Sequence, residues 1–146
     1  MGGMQFNALV NGHTIVMDAP QRAGGQDEGP IPKPLLLTAL SGCTGMDVIA
    51  LLRNQQITLR SLDVIVNGVL TPRPPIAYQS IHLIYEAQGS QIDEAATLAA
   101  IKRSQNELCG VSYMLKKALP VTWEVRYNNQ VIFDNQPATV ETEVLV

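Results

Sequence analysis

At 146 residues the chain has the length of one domain, and its 46% apolar content is enough to build a real core. Charged residues make up only 16%, which leaves little charge to cover the outside and favours further burial in a dimer. The net charge is −3 and no cluster of Lys and Arg occurs, so neither nucleic acid nor an anionic membrane is an expected partner.

The opening MGGMQFNALV has no basic region followed by a long apolar one, so it does not read as a signal peptide. The second methionine, Met4, leads to the expectation that Met1–Gly3 are an added remnant. A cytoplasmic, reducing compartment is the default expectation, and there two cysteines are reactive or buried rather than a permanent bridge.

MQFNALVNGHTIVMD (4–18) predicts a hairpin: Phe6, Ala8 and Val10 alternate, and Asn11-Gly12 tolerates the positive φ angles of a type I′ turn. APQRAGGQDEGPIPKP (19–34) reads as a long Gly- and Pro-rich loop, the kind that is functional or mobile. A helix follows from near Pro34, where a proline is tolerated in the first turn, to Arg53 and Asn54. Its apolar residues, among them Leu35, Leu36, Leu40, Met46, Val48 and Leu52, occupy every side of the helical wheel, so it is expected to be buried all round. Asp47 at its middle, three hydroxyl residues and two glycines argue against a membrane span. A lone charge there costs about 2.5–3.5 kcal/mol on an insertion scale.

Two β-rich stretches, 57–71 and 77–89, come next. In the second, Ile81, Leu83, Tyr85 and Ala87 share one face, and His82 points to the other beside Ser80 and Glu86. Residues 90–108 form an amphipathic helix with a capping box expected at Ser90 and Asp93. Cys109-Gly110 breaks it, and 111–119 form a short second helix. Val121, Trp123, Val125 and Tyr127 alternate as a strand, and Asn128-Asn129 turns the chain into a closing hairpin. The tail over 134–146 has no assignment. The order β-β-α-β-β-α-α-β-β, with antiparallel strands packed around a long central apolar helix, predicts a single α+β domain over 1–146.

No phosphate-binding glycine loop, nucleophile elbow or His-Glu-x-x-His motif is present. His13, His82, Cys43 and Cys109 are too isolated in sequence for zinc-site spacing, so no metal is expected. His82 reads as a polar-face strand residue. Cys43 in its apolar helix would ordinarily be a small buried hydrophobe. Two details favour chemistry instead. Gly42 and Gly45 flank it and permit close approach of another group, and Cys109 sits where the next helix begins, a position that favours thiolates. Spacing alone cannot pair the two. Asp47, one turn after Cys43, would raise a neighbouring thiol's pKa if ionised, and reads more simply as a cap or salt-bridge partner.

GPIPKPLLLTALSGCTGMDVIALLR, followed much later by SQNELCGVSYMLKKALPVTWEV, resembles the OsmC/Ohr family of osmotically inducible and organic hydroperoxide resistance proteins, on its OsmC-like branch. The resemblance runs from about Asn11 to Tyr127. It implies an α+β intertwined homodimer whose central helices pack back to back. It also implies a thiol-dependent peroxidase acting on small organic hydroperoxides. Cys43 would be the peroxidatic thiol and Cys109 the resolving one. No bound cofactor is implied; the reductant would be an external dithiol of the lipoyl type, carried by a partner protein. A free thiol of pKa about 8.5 is only ~3% thiolate at pH 7, so nearby positive charge is needed. The family's peroxidases use an Arg held by a Glu just before the central helix. Here Lys33 and Pro34 stand where that Glu would be, leaving Lys33 itself or Arg22 of the long loop as the activating charge. The alternative reading is a non-catalytic dimer that binds a small apolar ligand, with inert cysteines.

Overall fold

The computed structural model describes residues 3–138. Met1 and Gly2 of the expected N-terminal remnant, and the tail from 139 onward, lie outside the described residues. The chain forms two compact units, Met1–Leu40 and Ser41–Val146, with the boundary inside the long helix.

In the first unit, β1 (Phe6–Val10) and β2 (His13–Met17) pair antiparallel, with Phe6 opposite Met17. Asn11 and Gly12 take φ angles of 50° and 82° at the turn between them, as the Asn-Gly pair predicts. The Gly- and Pro-rich loop is gathered around one carboxylate. Asp18, only 3% exposed, accepts hydrogen bonds from the backbone N–H groups of Ala19 (2.8 Å), Gln26 (2.9 Å) and Glu28 (3.2 Å). These donors hold its pKa below the usual carboxylate value, the Gln26 bond first among them. Gly25 makes the wrapping feasible: a Cβ there would lie 1.9 Å from the Ala19 carbonyl oxygen.

The long helix, α1, runs Leu35–Asn54. It is long and apolar enough to cross a membrane by length and composition, but in the second unit its polar residues Thr44 and Asp47 are tied to other elements, as described below. Within the single chain the helix is buried on one side. Thr44, Val48 and Leu52, at i, i+4 and i+8, form the fully buried stripe, whereas Met46 is 75% exposed. One face of the helix therefore packs on the sheet and another is left uncovered within the chain.

That sheet has the order β3 (Ser61–Leu70), β4 (Tyr78–Gln88), β5 (Val121–Tyr127), β6 (Gln130–Asp134). β3–β4 and β5–β6 are antiparallel, as expected, but β4 and β5 run parallel, with Leu83 opposite Trp123 and Tyr85 opposite Val125. The sheet is thus mixed. A parallel pair needs a crossover of a dozen residues or more, and the helical segment between β4 and β5 supplies it. The predicted inner face of β4 is the core: Ile81, Leu83, Tyr85 and Ala87 are buried, with Trp123, Val125 and Tyr127 from β5. Phe133 stacks on Trp123 at 4.3 Å between centroids, and Tyr85 meets Trp123 edge-on at 6.2 Å. Asn128 and Asn129, with φ of 48° and 68°, turn β5 into β6.

Between β4 and β5 the expected single helix over 90–108 has three parts. A 3₁₀ turn (Gln91–Asp93) leads into α2 (Glu94–Arg103), and α2 widens into a π-helical turn over Ser104–Leu108. Neither Ser90 nor Asp93 makes a side-chain cap, so the expected capping box is absent; Thr97 Oγ1 instead donates to the Asp93 carbonyl at 2.8 Å. α3 (Gly110–Lys116) follows at once.

Candidate active site

Cys43 and Cys109 come together. Both are free thiols, and their sulfurs and one Asp47 carboxylate oxygen all lie within 4.8 Å of one another. Cys43 and Asp47 are one turn apart on α1. Cys109 ends the π turn and caps α3, its sulfur accepting from the backbone N–H of Ser112 at 3.4 Å. Cys43 is half-buried and Cys109 is buried. Burial pushes the Cys109 thiol up to about 11, against the lowering influence of the Ser112 N–H, and the adjoining Cys43 thiol pushes in the same upward direction.

Asp47 is neither a cap nor, among the described residues, a salt-bridge partner. Its Oδ2 accepts from Ser104 Oγ at 2.9 Å, and that bond starts a chain through the core. Ser104 Oγ lies 2.8 Å from Thr44 Oγ1, Thr44 Oγ1 lies 2.7 Å from the Tyr85 hydroxyl, and Gln105 Nε2 donates to that hydroxyl at 2.6 Å. Ser112 Oγ in turn donates to Gln105 Oε1 at 2.7 Å. A hydroxyl has one proton to give. Ser104 gives its proton to Asp47, so it must accept from Thr44, and Thr44 must then accept from Tyr85. Every donor along the path therefore points toward the Asp47 carboxylate, and each buried polar atom is satisfied. Burial raises the Tyr85 hydroxyl to about 12, which keeps it protonated as the chain requires.

The consecutive residues Ser104 and Gln105 of the π turn are both buried and supply a hydroxyl and an amide to this path.

Of the two activating cations expected from sequence, Arg22 lies exposed in a short 3₁₀ turn (Gln21–Ala23) and Lys33 lies half-buried just ahead of α1. Both belong to the first unit. In the second unit, Lys116 lies in the lining of a cavity shared with Cys109. Its Nζ donates to the Gln105 carbonyl at 2.5 Å; desolvation lowers its pKa, and interaction with Cys109 opposes that. Cys109, Leu108, Tyr113, Lys116 and Lys117 line a cavity of about 560 Å³. A second cavity, of about 740 Å³, runs along α1 between Met46, Gly42, Gly45 and Ile49 and the strand residues Leu62 and Val64. Met46 lines this second cavity; Met114 is exposed and lines neither.

Thr44, Tyr85, Ser104, Gln105, Ser112 and Lys116 were not among the sequence-derived site residues. One signal was available: Tyr85 lies on the inner face of β4, and a buried tyrosine hydroxyl needs a partner.

An α+β unit with two converging thiols, one on a long apolar helix and one at the head of a short helix, defines the class. The family model described as OsmC-like protein matches residues 25–124, and the chain belongs to that family. It is 28% identical over 113 residues to Protein YhfA of Escherichia coli K12, a match that covers 77% of this chain and 81% of that protein. Among solved structures it is similar to an OsmC-like protein from Mycoplasma pneumoniae (TM-score 0.67, 18% identity, 84% of this chain and 88% of the other). It is also similar to an organic hydroperoxide resistance protein from Elizabethkingia anophelis (TM-score 0.64, 17% identity, 88% and 92%). At those identities the structural matches establish the fold.

Proposed function

We propose that the protein is a thiol-dependent peroxidase for organic hydroperoxides. The observation that carries this reading is the pair of free sulfurs within 4.8 Å of each other, in a chain of the OsmC-like family. The Cys43 thiolate attacks the distal peroxide oxygen; the O–O bond breaks, the alkoxide leaves and takes up a proton as the alcohol, and Cys43 becomes a sulfenic acid. Cys109 then displaces hydroxide from the Cys43 sulfur, forming a disulfide and, with the thiol proton, water. An external dithiol, of the lipoyl kind on a partner protein, returns both thiols by exchange. The cavity at Cys109 offers Leu108 and Tyr113 as apolar wall, which suits a small organic substrate. Lys116, which lines that cavity with Cys109, joins Lys33 and Arg22 as a candidate for the charge that Cys43 needs.

The working form is a homodimer in the cytoplasm. In support, α1 carries Met46 and the open cavity beside it on a face that the chain itself does not cover. The rival reading, a dimer that binds an apolar ligand with inert cysteines, draws on that same cavity and on the raised pKa of Cys109.

Treating reduced protein with cumene hydroperoxide separates the two. The expected product is a Cys43–Cys109 disulfide, two protons lighter by mass. Cys43→Ser should abolish peroxide consumption, and Cys109→Ser should allow one turnover before over-oxidation to the sulfinic acid. Wild-type peroxide consumption by Cys43→Ser, or thiols that resist both peroxide and alkylation, would sink the peroxidase reading.

A further inference from the structure

Two groups of three metal-ligating side chains occur among the described residues: His82, Glu124 and Asp134, and Cys43, Asp47 and Cys109. The first is already engaged. His82 Nδ1 bonds Thr122 Oγ1 at 2.8 Å, and the Arg126 guanidinium occupies Glu124 Oε1, placing a fixed cation where a metal would sit. The second has no such competitor. Its three ligand atoms lie within 4.8 Å of one another.

We propose that the reduced protein binds a thiophilic divalent cation of the zinc class through Cys43 Sγ, Cys109 Sγ and an Asp47 carboxylate oxygen. The sizes agree. Tetrahedral zinc with Zn–S near 2.3 Å and Zn–O near 2.1 Å holds its ligands roughly 3.6–3.8 Å apart, so the triad needs to contract by no more than about 1 Å. Outer hydrogen bonds are in place, as metal sites require. Ser104 Oγ holds Asp47 Oδ2, and the Ser112 N–H supports the Cys109 sulfur. Two thiolates and a carboxylate leave a bound dication with one net negative charge, and Lys116 lines the cavity beside Cys109. The cavity at Cys109 gives the fourth position to water or another exchangeable ligand. Spacing in the sequence hid this set because its third member is an aspartate one turn from Cys43, not a histidine. Both thiols release their protons on binding, so uptake strengthens as pH rises. A bound ion would also occupy the sulfur that meets peroxide, making the metal an inhibitor that only the reduced state admits.

Co²⁺ is the probe. Added without oxygen to reduced protein, it should bind one ion per chain, with sulfur-to-cobalt charge-transfer absorption in the near ultraviolet and tetrahedral bands in the visible, all abolished by excess Zn²⁺. Cys43→Ser and Cys109→Ser should each lose about half the charge-transfer intensity. Asp47→Asn, which can still accept from Ser104, should keep that intensity but weaken binding by about tenfold or more. Wild-type protein oxidised to the disulfide, or alkylated on both thiols, should show no bands; this control does not depend on a variant folding. Absence of bands in reduced wild-type protein, or bands undiminished in Cys43→Ser, would overturn the proposal. The spectra require no peroxide turnover, so the metal site and the peroxidase reading stand or fall separately.

Discussion

Cys109 is held in a state that resists ionisation. With its thiol pushed up to about 11, the folded chain retains a proton that the unfolded chain gives up near pH 8.5. The sign follows from linkage: its contribution to stability is complete below about pH 8.5 and is lost as pH climbs toward 11. Urea unfolding of the reduced protein should therefore show a falling midpoint over that window, and Cys109→Ala should flatten the fall. Alkylation of Cys109 should likewise accelerate with pH throughout the window. A rate that levels off below pH 9 would show a thiol of ordinary acidity. In the proposed scheme such a group would wait as a thiol until a sulfenic acid forms at Cys43. The sequence revealed the two cysteines and their flanking glycines but not this burial, which depends on the turn at 104–108 and so on tertiary packing.

At the level of elements, the hydrogen-bonded path ties α1, β4, the π turn and α3 into one frame around the sulfurs. Tyr85 is its centre. Tyr85→Phe keeps the ring that meets Trp123 but leaves the Gln105 amide without the acceptor it now reaches at 2.6 Å. A buried donor left unpaired costs about 1–3 kcal/mol, to be read as a lowered urea midpoint at unchanged slope. Loss of less than about 0.5 kcal/mol would mean that water or another group replaces the hydroxyl. The elements themselves were largely legible. The turns of the β1–β2 and β5–β6 hairpins announce themselves by Asn residues that accept positive φ, and the inner face of β4 follows from alternation. Ser90 and the helix after it were not. The apolar periodicity of 90–108 carries through the widened turn without a break, because widening by one residue shifts which side chains point inward and not which kinds of residue are present. The β4–β5 pairing was equally hidden, since strand order along the chain does not say which strands are neighbours across a helical crossover.

For the whole molecule, the exposed side of α1 is where sequence and structure diverge most usefully. A helix apolar on every side but covered on one leaves a surface suited to a second copy. Met46, 75% exposed beside the cavity along α1, is a direct test. Met46→Glu should shift the protein toward monomer in analytical ultracentrifugation by tenfold or more in dissociation constant, while leaving the sheet's far-ultraviolet signature intact. An unchanged sedimentation coefficient would mean that this face joins no second copy.

The meeting of two sulfurs from distant parts of the chain has a further consequence, in polymer terms. Joining Cys43 to Cys109 would close a loop holding β3, β4 and α2, with roughly 66 residues between the ends. Closing a loop of that length removes enough freedom from the unfolded chain to favour the folded one by about 4 kcal/mol on the chain-entropy model. Exposure to oxidant would then be written into the protein's own resistance to heat: oxidised protein should melt several degrees above reduced protein, and a dithiol should erase the difference.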